Sequence, residues 1–180
     1  MRISSFYMDK EELIESLKAC GAIQFGRFAL TSGAISDYYV DIKKASTNPS
    51  VLKKIAEAMI EYTEGYNLIA GMELGAVPLL VALSLATNLP YVIVRKEKRT
   101  HGTGKQLEGP PVDQKKVLII EDVTTSGGSV VKTIQYLRES HALVDEVITV
   151  VDRQSGAQEK LQSLDVNLIP LVTVSDILQK

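Results

Sequence analysis

A chain of 180 residues, 45% of them hydrophobic and 23% charged, suits a single domain with a substantial core. A formal net charge of −2 argues against a protein built to coat nucleic acid, and the one cysteine, Cys20, excludes an internal disulfide and a cysteine-rich zinc site. The N-terminus lacks the apolar core of a signal peptide, and the longest apolar run, near Val77 to Ala86, is too short to span a bilayer; the expected location is the cytoplasm, with no membrane partner.

Asp9-Lys10-Glu11-Glu12 opens a helix with an Asp-x-x-Glu cap pattern. Leu13, Ile14, Leu17 and Cys20 form its apolar stripe, and Gly21 suits its exit. Phe25 to Leu30 and Tyr38 to Ile42 read as short strands on either side of a polar loop. Asn48-Pro49 is a cap followed by a first-turn proline, and Leu52, Ile55, Ala56, Met59 and Ile60 make a helical face. Strands then alternate with helices: a strand near Leu68–Ala70, a helix to about Ala86, strands at Tyr91–Val94 and Val117–Ile120, and a helix carrying Val130, Val131, Ile134 and Leu137. A strand at Glu146–Val151, a helix at Ala157–Leu164 and a late strand at Leu168–Val174 complete the series. This alternation predicts an α/β fold with a mostly parallel central sheet flanked by helices. Residues 1–45 break the rhythm and are expected to form a small hood beside a core of residues 46–180, within one domain.

The richest stretch is Val117 to Ser129. Four aliphatic residues lead into Glu121 and Asp122, then into Val123, Thr124, Thr125, Ser126, Gly127, Gly128 and Ser129. A chain passing from strand to helix through Thr, Ser and Gly turns several backbone N–H groups toward one point, beside hydroxyls and the positive end of a helix dipole. The pattern fits either a phosphate cradle or an ordinary capped turn. The acids at its lip would repel a bare phosphate, and they make sense if the ligand also presents sugar hydroxyls or a divalent cation. Segments 71–76, 95–101, 121–129 and 152–153 each follow a strand, so a parallel sheet gathers them on one edge, where such sheets bind ligands.

Between Arg95 and Lys105 the chain packs five basic residues and His101 into eleven positions. A long, glycine-containing basic loop of this kind can close over a polyanion; a solvated charge run is the other reading, and His101 either donates to a phosphate or sits in solvent. His141 reads as surface. The chain lacks a P-loop, and Gly102-Thr103-Gly104 lacks the third glycine of a dinucleotide fingerprint. A nucleophile elbow and a transition-metal cluster are also missing. What remains is a site for a phosphorylated sugar with Mg²⁺, an ion that favours phosphate oxygens over an all-protein cage.

At this point the residues resemble a family. Val117 to Ser129 is similar to the phosphoribosyl pyrophosphate (PRPP) signature of type I phosphoribosyltransferases. The segment from Phe28 to Asp41 resembles the hood of the orotate phosphoribosyltransferases, Arg95 to Gly102 their mobile catalytic loop, and Asp152-Arg153-Gln154 their base-binding turn. The resemblance implies a transferase that moves ribose 5-phosphate from PRPP to orotate, giving orotidine 5′-monophosphate and pyrophosphate, with Mg²⁺ held mainly through PRPP. It also implies a homodimer with shared sites. Carried over residue by residue, Glu121 and Asp122 hold the ribose hydroxyls, and the turn from Val123 and Thr124 through Ser129 wraps the 5′-phosphate. Arg95, Lys96, Arg99 and His101 grip the pyrophosphate; Arg99, His101 and Asp122 are the catalytic group. Thr125 and Arg153 contact orotate, and Tyr38 and Tyr39 frame its ring.

The chain departs from the pattern in places. Many bacterial members carry lysine where Thr31 and Leu74 stand, which leaves fewer cations here and turns attention to Lys43 or Lys44. Their loop lysine is Arg99, which stays protonated near neutral pH, so an electrostatic role is expected for it. A purine phosphoribosyltransferase on the same core is the nearer alternative, disfavoured by the Tyr38-Tyr39 hood and the Asp152-Arg153 turn. A non-catalytic PRPP-sensing regulator is the other; it would need an added DNA-reading helix pair or a basic face.

Overall fold

The computed structural model describes residues 9–29, 33, 35–97 and 106–179. Helix α1 (Lys10–Ala19) begins at Asp9, whose side chain accepts from the Glu11 N–H, and Glu11 and Glu12 sit where the helix dipole favours acids. Strands β1 (Ile23–Ala29) and β2 (Ile35–Val40) pair antiparallel as a separate two-stranded sheet. Both begin earlier than the sequence pattern indicates, because Ile23 already pairs with Val40 and Ile35 with Ala29.

β2 passes directly into α2 (Ile42–Ser46), a short helix that sequence reading misses; Asp41 caps it by accepting from the Lys43 N–H. In α3 (Pro49–Met59), Asn48 accepts from the N–H groups of Ser50 and Val51. Its buried face is Val51, Ile55, Ala56 and Met59, with Leu52 half-buried. Ile60, expected on that face, is exposed, because the chain tightens there into a 3-10 turn that rotates it outward.

Six strands form the main sheet: β3 (Leu68–Met72), β4 (Tyr91–Val94), β5 (Leu107–Glu108), β6 (Val117–Thr124), β7 (Glu146–Asp152) and β8 (Asn167–Thr173). Their order is β5-β4-β3-β6-β7-β8, parallel throughout except for β5 at the edge. Helices α4 (Ala76–Thr87), α5 (Gly128–Glu139) and α6 (Ala157–Gln162) form the crossovers, and α7 (Val174–Leu178) follows β8. Alternation along β6 sends Leu118 and Ile120 into one cluster with Leu17, Ile55 and Leu80, and Val117 and Ile119 into a second with Val130, Ile134 and Leu161. Each fully buried Leu or Ile contributes on the order of 1.5–3 kcal/mol by leaving water.

From β3 the chain moves outward to β4, and from β6 it moves outward the other way to β7 and β8. The strand order therefore reverses between β3 and β6, opening a crevice beyond their C-terminal ends. β6 also runs past its aliphatic quartet and through both acids, because Val123 and Thr124 continue to pair with Val151 and Asp152.

Candidate active site

Along the end of β6, each residue has a different environment. Glu121 is 5% exposed; its carboxylate accepts from the Ser129 hydroxyl at 3.1 Å and from the Asp122 N–H at 3.2 Å. Burial pushes this carboxyl up to about 8, and the neighbouring Asp122 carboxylate pushes the same way. Asp122 is half-buried, accepts from the Val123 N–H at 2.9 Å, and presses against Gly75. A Cβ at position 75 would overlap that carboxylate, so the glycine before α4 is what lets Asp122 face the crevice. Gly71 lies as close to its surroundings: a Cβ there would come within 2.6 Å of Ala76 and of the Ile120 carbonyl.

Thr124, expected in the cradle, is 1% exposed and donates its hydroxyl to Asp152 at 2.8 Å. Its side chain is buried there and ties β6 to β7. Thr125, Ser126, Gly128 and Ser129 are exposed, and Gly127 turns the chain into α5 at φ 74°. Any side chain at 127 would meet that unfavourable φ and also Leu161 and Ala157 of α6 at 3.2–3.5 Å. No side chain caps α5, and no acid occupies its first turn. Its first N–H groups therefore point outward with the positive end of the dipole, an arrangement suited to a phosphate.

Arg153 follows β7. Its N–H donates to the Thr124 carbonyl at 2.9 Å, which places it beside the cradle, and its guanidinium lies 5.4 Å from the Tyr38 ring centre. Tyr39 has a different partner: its ring packs 5.5 Å from that of Phe28 and stays partly exposed. Gln154, at φ 52°, accepts from Ser175 at the start of α7 and so fixes the turn that carries Arg153.

Arg95 pairs with Gln106 through two hydrogen bonds, Arg95 N–H to the Gln106 carbonyl at 2.9 Å and Gln106 Nε2 to the Arg95 carbonyl at 3.0 Å. Its guanidinium stands 3.7 Å from Glu108. The Lys96 N–H donates to Glu73 at 3.1 Å, joining the loops after β3 and β4. Arg99 and His101 lie outside the described residues. Among the described residues, the buried side-chain polar atoms without a hydrogen-bond partner are Arg95 Nε and Arg153 Nε. Buried donors normally find acceptors, so two unmatched guanidinium nitrogens beside one crevice fit a ligand with at least two anionic groups. Among the described residues, no three His, Cys, Asp or Glu side chains come together as a metal site; Glu121 and Asp122 fit a cation that arrives with phosphate oxygens.

Sequence reading placed Asp152 and Gln154 in the base-binding turn without separate roles, and assigned none to Gly75 or Glu73. Of these, Gly75 had the clearest signal, a glycine directly after a strand and before an apolar helix.

The chain matches a phosphoribosyl transferase domain over residues 42–172. It is similar to the orotate phosphoribosyltransferase of Methanosarcina acetivorans, with 52% identity over 172 residues that cover 94% of this chain and 92% of the relative. Among solved structures, it is similar to orotate phosphoribosyltransferase from Aeropyrum pernix (32% identity, TM-score 0.83, 92% of this chain and 96% of the other). The Mycobacterium tuberculosis orotate phosphoribosyltransferase in complex with PRPP is also similar, at 28% identity and TM-score 0.78 over 93% of this chain and 98% of the other.

Proposed function

The chain belongs to the orotate phosphoribosyltransferases of the phosphoribosyl transferase family, and on that premise we propose how the groups around its crevice divide the work. The reaction converts orotate and PRPP to orotidine 5′-monophosphate in pyrimidine biosynthesis. The bond from ribose C1′ to the departing pyrophosphate breaks, and a bond from C1′ to an orotate ring nitrogen forms. The open N-terminus of α5, with Thr125, Ser126 and Ser129 around it, receives the 5′-phosphate. Glu121 and Asp122 accept from the ribose hydroxyls. Negative charge grows on the leaving pyrophosphate, so Arg95 and Lys96, together with Arg99 and His101, stabilise the transition state from one side. Arg153 offers its guanidinium to the orotate carboxylate above the Tyr38 ring, with Thr125 beside it. Thr124 serves by holding β6 to β7.

The observation that carries this reading is the open helix N-terminus set against two acids and flanked by two arginines with unmatched Nε atoms. Family members typically use Mg²⁺ with PRPP; bound here through the diphosphate near Glu121 and Asp122, it would supply positive charge to the leaving group. With PRPP and Mg²⁺ present, the protein consumes the absorbance of orotate; no change across a pH series would defeat the reading. A panel of bases separates the purine alternative, and an inert protein that still binds PRPP would favour the regulator.

A homodimer with shared sites belongs to the same proposal. Leu74, in the turn before α4, and Val81 and Leu85, on it, lie exposed, the last at 80%, and an apolar surface of this kind favours a protein partner. Sedimentation should give a dimer, and mixing Arg99→Ala with Asp122→Asn protein, each strongly impaired alone, should restore activity. Failure to complement in a confirmed dimer would mean self-contained sites. Among the described residues no helix is long and apolar enough to cross a membrane, and a cytoplasmic location is part of the same reading.

A further inference from the structure

The acid pair poses an electrostatic problem that the cradle alone does not solve. PRPP is a polyanion, and the half-buried Asp122 carboxylate stands where it must enter, beside a Glu121 that burial holds largely uncharged. The loop after β3 presents Glu73, Leu74 and Gly75 to that edge and brings no cation; Leu74 is 72% exposed. Arg95 and Arg153 stand at the ends of β4 and β7, on either side. Among the described residues, α2, which packs against β6, offers a further approach. Ile42, 1% exposed, anchors this helix in the core. Asp41 fixes its entry twice, donating its N–H to the Ala22 carbonyl at 2.8 Å and capping the first turn. The next side chain, Lys43, is held by an ion pair to Asp41 at 2.8 Å, with more than half of its surface still open.

We propose that Lys43 is a positioning residue for the transfer reaction: tethered by Asp41 on a helix that packs against β6, its ammonium offsets the Asp122 carboxylate so that a polyanionic sugar phosphate can bind beside it. The assignment rests on the phosphoribosyl-transfer reading of the site. Its tether and its field agree: the hydrogen bond to Asp41 holds the ammonium above the usual lysine value, and Asp41, Asp122 and Tyr39 add to the effect through space.

The experiment measures steady-state kinetics with orotate and PRPP for wild type, Lys43→Met, Lys43→Gln, Lys43→Arg and the surface control Lys53→Met. Lys43→Met should raise KM for PRPP about 10-fold or more, as expected for losing a charged contact, and leave KM for orotate within about twofold. Lys43→Arg should recover most of the loss, and Lys53→Met should behave as wild type. The decisive comparison places Lys43→Met in an Asp122→Asn background, where its effect should shrink to about twofold because the charge it offsets is gone. A purely structural lysine would cost the same in both backgrounds. Unchanged KM for PRPP, or an undiminished effect beside Asp122→Asn, overturns the assignment; if Lys43→Met does not fold, Lys43→Gln is read by the same criteria. Wild type that does not turn over orotate with PRPP overturns the parent reading, and this assignment with it.

Discussion

The two edges of the main sheet handle polar groups in opposite ways. At the N-terminal edge, the Tyr66 hydroxyl lies 2.8 Å from Asp145 and 2.9 Å from Glu146, donating its proton between them. Lys116 pairs with Asp145 at 3.0 Å and stands 4.4 Å over the Tyr66 ring, while Asn67 and Lys116 exchange hydrogen bonds. Burial first, then the bonds to Asp145 and Glu146, holds the Tyr66 phenol far above its ordinary value. The main polar groups of that cluster find partners within the chain. At the C-terminal edge, two arginine nitrogens have none, a buried acid is held near neutrality, and a helix begins without a cap. The first edge contributes to stability. The second leaves its interactions unfinished for a ligand to complete, which is how binding sites differ from structural networks.

Substitutions can test this contrast. The largest effect is expected from Asp122→Asn, which should lower kcat/KM for PRPP by roughly 100-fold with Tm shifted by less than about 3 °C, because Asn keeps the bond to the Val123 N–H. A collapse of Tm would instead make Asp122 part of the structural network. Arg153→Ala should raise KM for orotate by about 10–100-fold, and Arg153→Lys should recover little, since an ammonium lacks the fork that matches a carboxylate. An unchanged KM would remove the guanidinium from the base site.

Glu121 gives a pH test. Its folded carboxyl lies above its unfolded value, 4.5 against about 8, so its contribution to stability is fully present below the lower value and lost as pH rises through the higher. Glu121→Gln should therefore match wild type near pH 5 and exceed its Tm near pH 9 by on the order of 5 °C, read by thermal melts without ligand. Equal melts at both pH values would mean that the acid ionises freely in the fold. The smallest effect is expected at the other edge: Tyr66→Phe should lower Tm by about 2–4 °C, roughly 1 kcal/mol, and leave kcat/KM unchanged. Loss of activity there would erase the division between the two edges.

The long alternating elements were legible because their apolar periods are strong, and β4 was located to the residue. The short elements were not. α2 has five residues and β5 two, too few for a period, and their placement depends on the sheet they join. β6 looked shorter than it is because its last residues are acids and hydroxyls, held in the strand by β7 and not by their own propensity. The turn into α5 was readable as a run of Thr, Ser and Gly. The inward turn of Thr124 was not, since it depends on Asp152 across the sheet. Gly75 carried a visible signal but no visible reason, which is supplied by a carboxylate from a distant strand.

Gly127 is barred to other residues on two independent grounds, its backbone twist and the helix α6 pressed behind it. The turn proposed to hold the 5′-phosphate is therefore locked from both sides and has little freedom to drift as the sequence diverges. No such double bar stands against replacing the Arg153 or Tyr38 side chain, so on the proposed reading a lineage can change which ring it accepts while inheriting the phosphate seat intact.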